Sequence, residues 1–312
     1  MTSPHPPPLK GGHTLAGGVS ALYLHVPFCR SICPFCAFAV HGNRQGLHAG
    51  FLEAITAEMA AAGRAHAAGE IHTCYVGGGT PSTLAPAEAA RLLEAAGRAF
   101  RLAGGVEITW ELNPEDVTAE YLKALSGLGV TRISIGLQSL DAGVLRGLGR
   151  GHDARQSRQA LECAAAHWPG GNYNVDLMFG APGQTLADFA ADVHALLALR
   201  PAHVSLYALD IEPGTRMARL PALRRGAEEA GAIQPEAFLW AAGALGGRMA
   251  QQQVQAGRTA AATATRCDTV MDSEVRVKEY EVRYDIGGAV ATVRMPYDPG
   301  ERIPLSNGTL LI

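Results

Sequence analysis

The stretch "ALYLHVPFCRSICPFCAF" (Ala21–Phe38) joins a short, largely apolar segment to three closely spaced cysteines. The segment Ala21–Pro27 is typical of a buried strand, because it is short, mostly apolar and closed by a proline. Cys29, Cys33 and Cys36 follow it at once, with three residues between the first two and two residues between the last two. The sequence therefore predicts a strand whose carboxyl end carries a cluster of thiols.

Composition excludes several classes of protein. The 312 residues include 26 Lys and Arg against 29 Asp and Glu, a net charge of -3, so no nucleic-acid partner is expected. Residues 1–18 are rich in Pro and Gly and lack a signal-peptide pattern, which predicts a disordered lead-in. No apolar run reaches the roughly 18 residues of a membrane span. We expect a cytoplasmic protein with reduced thiols, where clustered cysteines are more often metal ligands or catalytic groups than disulfides.

Strand-like and helix-like segments alternate along the next part of the chain. After the first strand, the predicted strands are Thr73–Gly79, Val106–Asn113, Thr131–Gln138, Tyr173–Gly180 and His203–Asp210. The predicted helices are Leu47–Ala65, Pro86–Phe100, Thr118–Leu128, Leu140–Leu148, Asp153–Trp168 and Leu186–Leu199. This alternation predicts βα units around a parallel sheet, which fit either a doubly wound sheet or an incomplete β/α barrel.

The polar residues at the strand ends decide between these two folds. After the cysteines, the successive strand ends carry "GGGTPS" from Gly77, Glu111 with "NPED", Gln138, Asp176 with "GAPGQT", and "YALDIEPGT" from Tyr207. A doubly wound sheet binds ligands mainly at one switch point, whereas all βα loops of a barrel open on one face. The sequence therefore predicts an α/β fold with a partial (β/α)6 TIM-like barrel over residues 19–219.

The cysteine spacing indicates an iron–sulfur centre. Thiolates are the usual ligands of such centres, and a cubane has four irons that each need a ligand. Three cysteines leave one iron without a protein ligand. Such an iron can bind a substrate or cofactor, just as a catalytic zinc site keeps an open position that a structural zinc site lacks. A zinc site completed by His25 or His41, or thiols without a ligand, are the alternatives. Structural zinc motifs usually pair two C-x-x-C knuckles, so the spacing favours a 4Fe-4S cluster.

The pattern C-x-x-x-C-x-x-C after a first strand resembles the radical S-adenosylmethionine (SAM) superfamily, whose fold is a full or partial β/α barrel. In that family, the amino and carboxylate groups of SAM chelate the open iron, and an electron from the cluster cleaves SAM to a deoxyadenosyl radical. Six motifs in order resemble the group containing oxygen-independent coproporphyrinogen III oxidase and the heme chaperone HemW: "YLHVPFC", "GGGTPS", "ELNPED", "RISIGLQS", "NVDLMFGAPGQT" and "SLYALDIEPGT".

The resemblance also implies which residues contact the cofactor. Gly78, Gly79 and Thr80 match the loop that binds the amino group of SAM. Five further residues match positions that contact SAM molecules: Tyr23, Glu111, Gln138, Arg150 and Asp176. From the residues alone, the glycines also fit a tight turn, and the polar strand residues also fit hydrogen-bonding core positions. Arg146 and Arg155 are alternatives to Arg150.

Four more residues have open or ordinary interpretations. His25 shares a strand face with Tyr23, and either a satisfied buried histidine or a contact to a proton or porphyrin fits it. Cys74, Cys163 and Cys267 are isolated, and we expect them to behave as small apolar residues without chemical function.

Phe38 separates two functional interpretations. The oxidase of this group has another cysteine two residues after the third ligand, where this chain has Phe38. The resemblance then favours a HemW-like heme chaperone that carries the cluster and SAM. Its ligand would be heme or porphyrin, and the sequence does not identify its client protein or its electron donor. The alternative is the oxidase itself, an enzyme that decarboxylates two propionate side chains. A truncated or fused remnant that only binds the cluster is a third possibility.

The last third of the chain departs from the family pattern. Residues 220–266 are low in complexity and are interpreted as a helical linker. Residues 267–312 alternate polar and apolar residues on both sides of "DIGG" (285–288), which predicts a β-hairpin. Members of the family continue instead into a second domain with an "HN...YW" stretch, so we expect this tail to differ from theirs.

Overall fold

The computed structural model describes residues 19–42, 44–66, 69–221 and 226, and the backbone of five strands between 263 and 310. The predicted lead-in and most of the predicted linker lie outside the described residues. The chain divides into two compact units, Met1–Gln184 with Ala198–Gly231, and Thr185–Leu197 with Ala232–Ile312.

The elements follow the predicted alternation. The strands are β1 (Ala21–Val26), β2 (Phe28–Cys29), β3 (His41–Gly42), β4 (Glu70–Gly78), β5 (Arg101–Leu112), β6 (Arg132–Gln138), β7 (Tyr173–Phe179), β8 (His203–Ala208), β9 (Thr263–Met271), β10 (Val277–Ile286), β11 (Ala289–Met295), β12 (Leu305–Ser306) and β13 (Thr309–Leu310). The helices are α1 (His48–Ala65), α2 (Pro86–Ala99), α3 (Ala119–Gly127), α4 (Ala142–Leu148), α5 (Ala154–His167), α6 (Leu186–Leu199) and α7 (Arg216–Arg219).

Six parallel strands form the main sheet of the first unit, in the order β1-β4-β5-β6-β7-β8. This order confirms the predicted α/β fold, and it places all six carboxyl ends at one edge, called the carboxyl edge below. Strand β5 begins at Arg101 rather than at the predicted Val106. The pairing with β4 shifts register between Leu102 and Glu107, a stretch that contains Gly104 and Gly105, and glycine within a strand often marks such a bulge. The same glycines interrupt the sequence pattern of a strand, so the prediction started the strand after them.

The two faces of the main sheet differ in polarity, because successive strand residues point to opposite sides. On one side, Ile133, Ile135 and Leu137 of β6 are fully buried. On the other side, the Ser134 hydroxyl donates a hydrogen bond to Asp176 of β7. The sheet therefore has an apolar face that stabilises the fold and a polar face that leads to the carboxyl edge.

The helices begin at capping residues that the sequence supplies. The Thr118 side chain accepts a hydrogen bond from the Tyr121 N–H at 3.1 Å, and Asp153 and Gln156 form a reciprocal capping box at the start of α5. Helix α1 packs against α2, α2 against α3, and α3 against α5. None of the helices among the described residues has both the length and the apolar character needed to cross a membrane.

The described strands of the second unit form two small antiparallel sheets. Strand β10 lies between β9 and β11, and β12 pairs with β13. The β10–β11 pair flanks residues 287 and 288, where the sequence predicts a hairpin. Strand β9 was not predicted, and it crosses the boundary placed between 266 and 267.

Truncation of a core residue of β6 should destabilise the first unit. Ile135 is fully buried, so Ile135→Ala should lower the free energy of unfolding by about 2–5 kcal/mol through lost burial and a residual cavity. Leu47 is 50% exposed, and Leu47→Ala should change the same quantity by less than about 0.5 kcal/mol. Urea unfolding followed by circular dichroism measures both, and equal losses would contradict the proposed core.

Candidate functional site

The cysteines lie in a loop that other parts of the chain hold at the carboxyl edge. This cysteine loop runs from Cys29 to Cys36 and has little regular structure of its own. The Cys36 N–H donates to the Cys33 carbonyl at 3.1 Å, and the Met217 N–H donates to the Pro34 carbonyl at 2.8 Å. The loop is therefore fixed by its own turn and by the start of α7.

Two glycines permit close packing, one against the residue just before the cysteine loop and one against the loop itself. A Cβ atom at Gly79 would lie 2.8 Å from the Phe28 carbonyl oxygen, and a Cβ atom at Gly149 would lie 2.5 Å from Cδ of Pro34. Gly149 also has a φ of 65°, a left-handed conformation that glycine adopts without strain. A side chain at either position would displace the cysteine loop from its neighbours.

Hydrogen-bond donors point at two of the three cysteine sulfurs. The Thr80 hydroxyl lies 3.6 Å from Cys29 Sγ, and Arg150 Nη1 lies 3.3 Å from Cys33 Sγ. Burial raises the pKa of Cys29 and Cys36, and the charges of neighbouring thiolates raise both further. The three sulfurs are therefore close enough to interact with one another.

These residues fit a cluster held by three thiolates. Among the described residues, no three His, Cys, Asp or Glu side chains surround a point that could hold a single metal ion. A cubane spreads its ligands over separate irons, so its ligand set does not converge on one point. Donors directed at thiolate sulfurs, together with glycines that permit close approach, suit such a cluster.

Glu111 at the end of β5 is held by two donors. The Tyr75 hydroxyl donates to Oε1 at 2.7 Å, and the Gly78 N–H donates to Oε2 at 3.2 Å. A Cβ atom at Gly77 would lie 2.9 Å from Oε2, so the absence of a side chain there allows the contact. Burial raises the pKa of Glu111, and the two hydrogen bonds oppose this effect.

Asp176 of β7 has a similar setting on the polar face. Asn174 Nδ2 donates to Oδ1 at 2.7 Å, and the Ser134 hydroxyl donates to Oδ2 at 3.2 Å. Burial raises the pKa of Asp176, against the lowering effect of these hydrogen bonds. The polar face therefore holds two half-buried carboxyl groups with defined orientations.

Gln138 Oε1 and Arg150 Nε are buried polar atoms that find no hydrogen-bond partner among the described residues. Gln138 also has a φ of 69°, which is uncommon for a residue other than glycine. Buried polar atoms normally have partners, and backbone strain is concentrated at functional sites. Both observations suit a site for a polar ligand at the carboxyl edge.

A comparison with protein-family models decides the family. The model described as "Radical SAM superfamily" matches residues 23–196, more than half of the chain. This chain belongs to the radical SAM superfamily. Membership implies an iron–sulfur cluster and SAM as cofactors, in agreement with the cysteine spacing.

Curated radical SAM relatives include two bacterial proteins named heme chaperone HemW. The protein of Mycobacterium tuberculosis is 37% identical over 225 residues, 71% of this chain and 57% of the relative. That of Haemophilus influenzae is 34% identical over 208 residues, 64% of this chain and 54% of the relative. The mitochondrial radical S-adenosyl methionine domain-containing protein 1 of Bos taurus is 37% identical, with 64% and 45% coverage. The chain thus spans about half the length of these relatives.

A solved radical SAM structure has a similar fold. Coproporphyrinogen III oxidase HemN from Escherichia coli is 26% identical with a TM-score of 0.58, and the match covers 69% of this chain and 48% of that structure. This likeness confirms the family interpretation of the six-stranded sheet.

The structure brings most of the predicted radical SAM residues to the carboxyl edge or the polar face. Tyr23 stacks on Tyr75 with ring centroids 6.0 Å apart, and its hydroxyl lies 3.4 Å from His25 Nδ1. His25 is half-buried, and its Nε2 lies 2.9 Å from the Ala39 carbonyl oxygen, which fits a satisfied histidine. The contact of His25 with a porphyrin stays a prediction.

Among the candidate arginines, only Arg150 is shown in contact with a cysteine sulfur within the part of the chain that the structure describes. Arg146 and Arg155 are exposed on α4 and α5. Cys74 is buried, and burial raises its pKa to about 11, as suits an unreactive thiol. The side chain of Cys267 lies outside the described residues.

Three residues complete the site without having been predicted from the sequence. Tyr75 binds Glu111, Asn174 binds Asp176, and Asn113 binds Arg150. Tyr75 and Asn174 lie on strands that also carry predicted site residues. The alternation of side chains along a strand could have placed Asn174 on the same face as Asp176, and Tyr75 on the face of its own strand that meets the site. Asn113 begins the "NPED" segment at a strand end, which was a usable signal.

Protonation of Asp176 should link stability to pH. Its pKa is raised in the folded state, so the native chain keeps a proton that the unfolded chain releases. The free energy of unfolding should therefore fall as pH rises from the ordinary aspartate pKa to the raised pKa, with a limiting slope of about 1.4 kcal/mol per pH unit. Asp176→Asn cannot release this proton, so its free energy of unfolding should rise relative to that of the parent as pH rises between the two pKa values. Urea titrations at a series of pH values measure this difference.

Asp188 gives a matched control with the opposite sign. Hydrogen bonds from Thr185 lower the pKa of Asp188, so this carboxylate adds stability above the ordinary aspartate pKa and loses it as pH falls. Asp188→Asn should therefore lose stability relative to the parent as pH rises. The same slope in both variants would contradict the assigned environment of Asp176.

Proposed function

We propose that this chain is a HemW-like heme chaperone that holds a 4Fe-4S cluster through Cys29, Cys33 and Cys36. The identity of 34–37% to proteins named heme chaperone HemW carries this proposal. Because the chain spans about half of those relatives, heme handling is proposed here from the shared part alone. Heme or porphyrin is the proposed ligand, and a client protein and an electron donor would be its partners.

The proposed cluster has a defined protein environment. When bound, the 4Fe-4S cluster would supply an electron and an open iron for SAM. The chain's own contribution is to keep the three thiols together, through the glycine contacts and through the donors on Thr80 and Arg150.

The proposed SAM site uses the other residues of the carboxyl edge. Gly78 and Gly79 let their backbone approach a ligand closely, as the amino group of SAM would require. The Arg150 guanidinium suits the SAM carboxylate, since arginine pairs well with carboxylates. Further contacts are proposed from polar side chains that share this face: Tyr23, Thr80, Glu111, Gln138 and Asp176.

Phe38 favours the chaperone over the oxidase. Its side chain is 73% exposed in the segment that follows the cysteine loop, where the oxidase has a cysteine. An exposed aromatic ring can stack against a flat apolar macrocycle. The structural likeness to HemN keeps coproporphyrinogen III oxidase as the second candidate, and a remnant that binds only a cluster as the third.

Anaerobic reconstitution separates these candidates. A chaperone should take up about four irons and four sulfides, change its reduced electron paramagnetic resonance spectrum on addition of SAM, and develop a Soret band with heme. Conversion of coproporphyrinogen III would instead identify the oxidase. A cluster that responds to neither heme nor coproporphyrinogen III would support the remnant, and bound zinc without iron would contradict all three.

Replacement of one proposed ligand should prevent stable cluster assembly. Cys33→Ala leaves two thiols, so iron and sulfide retained after desalting should fall at least several-fold. Cys163 is a half-buried cysteine on α5, outside the cysteine loop, and Cys163→Ala is the matched control that should retain the parent's iron content. Equal iron content in the two variants would contradict the assignment of Cys33.

A further inference from the structure

We propose that Asn113 is a positioning residue that sets the hydrogen-bond donors of two cluster cysteines at once. The inference rests on the proposed cluster at Cys29, Cys33 and Cys36. Asn113 contacts neither sulfur in the hydrogen bonds of the described residues. It acts through Thr80 on one side and through Arg150 on the other.

The first branch leads to Cys29. Asn113 Nδ2 donates to the Thr80 hydroxyl oxygen at 3.3 Å, and that hydroxyl lies 3.6 Å from Cys29 Sγ. A hydroxyl has a single proton to donate. Because the Asn113 amide is a donor, Thr80 has to accept from it, which leaves the hydroxyl proton free to point at the sulfur.

The second branch leads to Cys33. Arg150 Nη2 donates to Asn113 Oδ1 at 2.9 Å and to the Gly136 carbonyl oxygen at 2.8 Å. Arg150 Nη1 lies 3.3 Å from Cys33 Sγ. The guanidinium is planar and rigid, so two acceptors that fix Nη2 also fix the direction of Nη1.

One orientation of the Asn113 amide serves both branches. Arginine only donates, so the atom that faces Arg150 has to be the amide oxygen. Glu115 Oε1 lies 3.5 Å from the other amide atom, and a carboxylate only accepts, so that atom has to be the nitrogen. The Ser82 hydroxyl accepts from the Asn113 backbone N–H at 3.2 Å and holds the residue itself in place.

The packing around Asn113 leaves little freedom for another arrangement. Asn113 directly follows β5 and precedes a short 3-10 turn, Pro114–Asp116. A Cβ atom at Gly136 would lie 3.8 Å from Asn113 Oδ1 and 3.6 Å from Arg150 Nη2. These are ordinary van der Waals distances, so the Arg150 and Asn113 side chains meet directly over the Gly136 backbone, whose carbonyl oxygen accepts from Arg150 Nη2.

The consequence for a bound cluster is electrostatic. Hydrogen bonds to cluster sulfurs are among the factors that set the reduction potential of an iron–sulfur centre. Donors stabilise the reduced form, which carries more negative charge. Asn113 should therefore raise the cluster's reduction potential by holding two donors in place, without contacting the cluster itself.

Potentiometric titration of the reconstituted full chain tests this role. Thr80→Val removes one donor at nearly constant shape, and Arg150→Lys keeps the charge but loses the planar fork. Each substitution should lower the reduction potential. Asn113→Leu should lower it as much as the Thr80 and Arg150 double variant does. The expected decrease is at least tenfold in the equilibrium constant for reduction, which is about 59 mV for one electron. Adding Asn113→Leu to the Thr80 and Arg150 double variant should then change little.

A second asparagine supplies the control for these variants. Asn172→Leu removes a 3.0 Å hydrogen bond from Asn172 to the Thr131 carbonyl, outside the cysteine loop, and should leave the potential unchanged. The inference is overturned if Asn113→Leu, with full iron content, keeps the parent's potential. It is also overturned if the triple variant differs in potential from the Thr80 and Arg150 double variant by as much as Asn113→Leu differs from the parent.

The cluster-free chain distinguishes a failure of the proposed function from a failure of this inference. If the unaltered chain takes up no iron, the proposed function fails. Double-mutant cycles on the free energy of unfolding then test the network by itself, pairing Asn113→Leu with Thr80→Val and with Arg150→Lys. Non-additive effects in both pairs support the linking role of Asn113, and additive effects in either pair overturn it.

Discussion

The site depends on one constraint, namely that a short loop with little regular structure has to hold three thiols at fixed positions. The cysteine loop cannot do this by itself, and contacts from other strand ends do it instead. Gly79 and Gly149 allow backbone and proline atoms to approach within van der Waals distance, and the Met217 N–H binds the Pro34 carbonyl. The parallel order of the sheet makes these contacts possible, because it brings the ends of distant strands to one edge.

The polar face has a cost that the structure offsets locally. Barrel interiors are usually filled by branched apolar side chains, whereas this sheet places Glu111 and Asp176 on the same side as Ser134. Burial of a carboxyl group without partners would be strongly unfavourable, so each one accepts two hydrogen bonds from residues of the sheet. Stability then comes from the opposite, apolar face, which leaves the polar face available for binding.

Much of the fold could be predicted from the sequence, because short apolar stretches between helical patterns define the six parallel strands. The start of β5 at Arg101 could not, since Gly104 and Gly105 hide it. Glu111 and Asp176 were selected because polar residues recur in or at the ends of the strands and because they match family positions, and the structure places Asp176 in the middle of β7. The role proposed for Asn113 required atomic contacts, because sequence does not reveal which amide atom faces Arg150.

We propose that three cysteines hold a cluster whose fourth iron binds SAM. Electron–nuclear double resonance of the reduced protein, with SAM labelled by nitrogen-15 at its amino group, tests this binding most directly. If the SAM amino group binds the fourth iron, the nitrogen-15 hyperfine coupling should be strong enough to require direct coordination. A cluster that forms normally but shows no coupling to the label would contradict the open fourth iron.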